Sequence, residues 1–159
     1  MKRIVAALTV ILLAAITVSA CSGSTSGAAA KPQLTVTGAY VPQPPLQDMA
    51  AGYFTVTNTG GSADKLVGVS SDAATDVSMH ITTASDQMEQ VTSWTIPAGG
   101  KLVLSTGGNH LMLMGLERKL TAGQKVTFTL RFASSAPITV TASIEPADYQ
   151  PMAMNMPMG

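Results

Sequence analysis

Between residues 34 and 145, apolar and polar positions alternate in short runs, each closed by Gly, Pro, Asn or Ser. A period of two marks a strand with one buried face, whereas a helix would need apolar residues three and four apart. The runs predict strands over 34–40, 51–58, 65–70, 77–82, 88–94, 101–105, 110–114, 126–132 and 137–145. Val41-Pro-Gln-Pro-Pro45 predicts a loop, because proline cannot donate to a ladder. Residues 83–87 read as the link of a hairpin, and Thr106-Gly-Gly-Asn109 as a turn. About nine short strands, rich in Thr and Val and without a helical stripe, predict an all-β fold: a single antiparallel β-sandwich domain.

The N-terminus breaks this pattern. Lys2-Arg3 precedes an almost wholly apolar run over 4–16, and Val18-Ser19-Ala20 leads directly to Cys21. The run is short for a spanning helix, and small residues before a Cys read as a bacterial lipoprotein processing site. Residues 1–20 are then a signal peptide, and Cys21 becomes the lipidated N-terminus. Lipid chains, rather than a helix, would hold the mature protein outside the cytoplasmic membrane. Residues 21–33, rich in Ser, Gly and Ala, read as a flexible tether, 34–146 as the folded domain, and 147–159 as a Met-rich flexible tail.

Composition narrows the chemistry. The precursor carries nine basic and nine acidic residues; removing Lys2 and Arg3 leaves a mature charge of about −2, with no basic run. Nothing here supports nucleic-acid binding. Cys21 is the single cysteine, so no disulfide closes within the chain and no thiol remains for a nucleophilic mechanism or a blue-copper electron-transfer site. The expectation is a binding protein and not an enzyme.

What remains are two histidines among methionines. His80 follows Met79, and His110 opens His110-Leu111-Met112-Leu113-Met114. Alternation puts His110, Met112 and Met114 on one face, with Leu111 and Leu113 on the core side. It likewise separates Met79, with Ile81, from His80. Met79 and Ile81 are assigned to the core and His80 to the surface. Met88 opens the next strand, near the tip of the hairpin with 77–82. Imidazole and thioether donors suit Cu(I) better than hard cations. The spacing alone also allows a structural or adhesive sandwich in which these residues fill space.

The series His80, Met88, twenty-one intervening residues, then His110-Leu-Met112 resembles the motif of the PCuAC copper chaperones: a His or Met, ten residues, Met, twenty-one residues, His-x-Met. The surrounding Ile96-Pro-Ala-Gly-Gly100 and Gly107 to Leu116 are similar as well. One interval departs, since only seven residues separate His80 from Met88, as a shorter hairpin tip would explain. Met79 is the alternative first ligand if the register slips. The resemblance implies a cupredoxin-like sandwich that binds Cu(I) through His80, Met88, His110 and Met112, with Met114 as a possible further donor. It implies delivery of copper to the CuA site of cytochrome oxidase, alone or with a Sco-type partner. General copper storage or tolerance is the other role open to such a site. The tail offers Met152, Met154, Met156 and Met158, either as weak additional thioether donors or as a tail without a metal role.

Overall fold

A computed structural model describes residues 30–151. The signal peptide, Cys21, most of the tether and the tail methionines Met152, Met154, Met156 and Met158 lie outside the described residues. Ten strands and no helix are found among them: β1 (Leu34–Pro42), β2 (Met49–Asn58), β3 (Asp64–Ser71), β4 (Ala74–Thr82), β5 (Met88–Val91), β6 (Trp94–Ile96), β7 (Lys101–Val103), β8 (His110–Leu116), β9 (Lys125–Phe132) and β10 (Ile138–Glu145). The all-β, cupredoxin-like sandwich expected from the sequence is the fold of the domain.

Hydrogen-bonded neighbours run β5-β4-β8-β2-β1-β10-β9-β3-β6, with β7 also on β2. Strands β5 and β6 are consecutive in the chain yet lie at opposite ends of this path, so the sheet is rolled nearly closed. β2 joins the two layers. Its first half, Met49–Gly52, pairs with β8, and Thr55–Thr57 pair with β7. The core lies between the layers. Val126, Phe128, Leu130 and Phe132 alternate inward on β9 to meet Leu111 and Leu113 of β8 and Phe54 and Val56 of β2.

Three expectations are corrected. The run over 88–94 is not one strand. β5 pairs with β4, β6 pairs with β3, and Thr92 and Ser93 carry the chain from one layer to the other. A sandwich corner of this kind ends one ladder and begins another. The first strand continues through Val41 and Pro42, where a loop was expected. Its ladder with β2 ends at Tyr40↔Tyr53 and Pro42 pairs with Glu145 of β10, so the missing N–H is tolerated as on an edge. The sandwich is also not wholly antiparallel, because Tyr40–Pro42 pair in parallel with Ser143–Glu145. Gly38 produces that switch. Its φ of 60° sits at the register shift between Thr37 and Tyr40, and the bulge turns the end of β1 toward β10.

Candidate metal centre

Register places the sequence-marked residues. On β4 and β8, His80 stands directly opposite His110, Ser78 opposite Met112, and Asp76 opposite Met114. On the other side of β4, Thr82 stands opposite Met88 and His80 opposite Gln90. Directly paired residues share a face, and so do residues two apart on one strand. His80, His110, Met112, Met88 and Met114 therefore lie on one face of the β5-β4-β8 ladder. Met79 pairs with Leu111 on the opposite face and is 5% exposed, so the alternative first ligand is turned into the core.

The hairpin between β4 and β5 is tight. Thr83 N donates to Gln87 O at 2.8 Å and Asp86 N to Thr83 O at 3.0 Å, with Asp86 at a φ of 56°. Thr83 Oγ1 accepts from Gln87 N at 3.2 Å. This short tip accommodates the seven-residue interval, returning Met88 two pairs beyond His80 and so on its face.

The two imidazoles are held differently. His110 is 6% exposed, and its Nδ1 lies 2.9 Å from Gly108 O. A carbonyl can only accept, so Nδ1 carries the proton and Nε2 keeps its lone pair, the arrangement common to metal-binding histidines. His80 is partly buried, with Nε2 3.0 Å from Ser78 Oγ, while its Nδ1 is buried without a hydrogen-bond partner. The rings stack with centroids 5.8 Å apart and planes inclined by 22°. Burial, and then the neighbouring His110, hold the His80 pKa below its ordinary value of 6.5. Both causes favour neutral imidazole, the form that binds a metal.

The rest of the face suits a soft ion. No three His, Cys, Asp or Glu side chains that could hold a metal ion come together among the described residues, and the other soft donor atoms on this face are the thioethers of Met88, Met112 and Met114. Met112 is half-buried, whereas Met88 is 62% exposed at the rim. Beside Met112 opens a cavity of about 530 Å³, walled by Met49, Ala51, Tyr53, Leu46 and Tyr149. Tyr149 packs edge-on against Tyr40 with centroids 5.1 Å apart, which fixes the end of the described chain next to this cavity.

Sequence reasoning missed Met49. It started the second strand at Ala51, whereas β2 begins at Met49, which stands directly opposite Met114. Carrying the alternation two residues back from Ala51, past the buried Ala50, would have found it.

A family model described as "LpqE-like: Putative lipoprotein LpqE-like" matches residues 34–144. A protein of Leifsonia xyli subsp. xyli named "Putative lipoprotein Lxx21020" is 42% identical over 98 residues, 58% of this chain and 59% of that protein. The chain thus spans about three-fifths of the length of the curated relative it matches. The solution structure of Cu(I)-DR1885 from Deinococcus radiodurans is 37% identical with a TM-score of 0.61, covering 77% of this chain and 85% of that one. The copper-bound PCuAC domain from PmoF2 has a TM-score of 0.63 at 22% identity, covering 71% of this chain and 92% of that one, a likeness of fold. With a match over most of its folded domain, and in a sandwich of the PCuAC type, the chain belongs to the LpqE-like lipoprotein family.

Proposed function

We propose that the protein is a membrane-tethered copper chaperone that takes up Cu(I) between His80, His110, Met112 and Met88 and passes it to a receiving protein. The observation that carries this reading is the direct pairing of His80 with His110, on a face shared with Met112 and Met88. Two neutral imidazoles and two neutral thioethers leave the bound ion with its single positive charge. Soft, uncharged donors of this kind favour Cu(I) over Zn, Mg or Ca. The copper named with the DR1885 and PmoF2 structures supports the same cargo.

Transfer is favoured over storage because the site is open on one side. His110 is fixed and buried, while Met88 is mostly exposed and replaceable. A recipient's thiolates can displace Met88 first and then draw the ion away by ligand exchange, without the chain having to unfold. The CuA subunit of cytochrome oxidase, or a Sco-type protein acting with it, is the recipient this chemistry fits. Lipidation of Cys21 would keep the cargo at the outer surface of the cytoplasmic membrane, where such acceptors are assembled.

The test is a Cu(I) titration against a competing chelator. Replacing both His110 and Met112 with Ala removes two donors from the ion, a larger change than the outer-shell losses that cost about 10–100-fold, so affinity should fall by more than about 100-fold. Unchanged affinity in that double variant rules this donor set out.

A further inference from the structure

The same sheet face continues past the proposed copper site onto β2. Met49 stands directly opposite Met114, and Ala51 directly opposite Met112. Met114 also has Asp76 as its partner on β4. Three thioethers, from Met49, Met114 and Met112, therefore cluster on one face beside a carboxylate, outside the His80–His110 pair. Met49 and Met114 are each 40% exposed, so neither is packed as core filler.

Geometry makes the cluster reachable. Directly opposed side chains have Cβ atoms about 4.5–5.5 Å apart, and diagonal neighbours about 7–8 Å, within the span of flexible methionines. Met112 is diagonal to Met49. Between them stands Ala51, whose single methyl leaves the space that opens as the cavity lined by Met49, Ala51 and Met112. Two or three thioethers make a weak but selective donor set for a monovalent soft cation. The Asp76 carboxylate, exposed at the end of the row, adds a favourable charge without supplying a hard-ion cage.

We propose that Met49 and Met114 form a second soft-cation site, contiguous with the first through Met112. The inference extends the copper-chaperone reading, giving the ion a weaker resting place toward the cavity from which a recipient can collect it. Ions move between the two sites by exchanging one thioether at a time, with Met112 common to both.

Silver(I), a redox-inert monovalent soft ion, tests this on the full chain with 13C-methyl-labelled methionine. The first equivalent should move the Met112 and Met88 methyl signals together with the imidazole signals. A further equivalent should move those of Met49 and Met114. A Met49→Leu, Met114→Leu double variant, conservative in volume, should bind one equivalent fewer while its first-equivalent affinity stays unchanged. The proposal is overturned if the Met49 and Met114 signals stay in place while the tail methionines take the later equivalents, or if the double variant keeps full stoichiometry. If instead the imidazoles stay silent while Met49 and Met114 respond, the second site stands and the His80–His110 assignment falls.

Discussion

The histidine pair joins two environments that act in the same direction. The Gly108 carbonyl fixes the His110 tautomer, and burial with like-charge repulsion keeps His80 neutral below the ordinary histidine value. The consequence for stability has a definite sign. In the unfolded chain His80 takes up its proton near pH 6.5, whereas in the folded domain it does so only at lower pH. Between those values the unfolded state binds more protons, so the apo-domain loses stability as the pH falls below about 6.5. Urea midpoints measured from pH 7.5 down to pH 5 should fall less steeply in a His80→Gln variant than in the parent. Equal slopes would show that His80 does not sense folding. These residues were legible in the sequence because strand alternation alone separates His80 from Met79 and joins His110 to Met112. Met49 was not, because no Gly or Pro marks the point where its strand begins.

Elements differ in how far their sequence declares them. β9 could be read directly, since it keeps strict alternation along a strand that stays in one layer, and β8 could be read from Leu111 and Leu113, which alternate with Met112 and Met114. The division of 88–96 between β5 and β6 could not. Each half satisfies a different partner, and those partners are set by how the whole sheet closes rather than by local pattern. The parallel pairing of β1 with β10 is hidden for the same reason, with only Gly38 as a local sign. Gly52 is where such closure bears on the site. A Cβ added there would lie 3.1 Å from Phe128 Cζ and 3.3 Å from Leu113 Cδ1, at the contact between β2, β8 and the facing layer. β8 carries His110 and Met112, so this contact also seats the donors. Gly52→Val should overpack the junction and lower unfolding free energy by about 1–3 kcal/mol, read from urea denaturation. A midpoint equal to the parent's would mean that the layers have slack that the structure does not show.

At the scale of the whole molecule, β2 is a ruler between anchor and site. Its far end is where the chain enters the domain: Asn58 Oδ1 accepts from Gln33 N at 3.0 Å, and Gln33 O accepts from Thr59 N at 2.9 Å. Its near end, Met49 to Ala51, borders the face that carries the proposed metal donors. Asn58 lies seven residue steps along the strand from Ala51, a span of about 23 Å when extended. The proposed donor face and the point where the chain enters the domain therefore lie at opposite ends of β2. Among the described residues no helix is long and apolar enough to cross a membrane. Because the anchor and the site are separate parts of the chain, they should fail independently. Cys21→Ser should move the protein from the detergent phase to the aqueous phase on detergent partitioning, while Cu(I) affinity stays at the parent value. Retention in the detergent phase would mean that something other than the Cys21 lipid holds the protein to the membrane. A coupled loss of copper binding would instead mean that the leader and tether contribute to the site, against the independence that the Gln33–Asn58 junction implies.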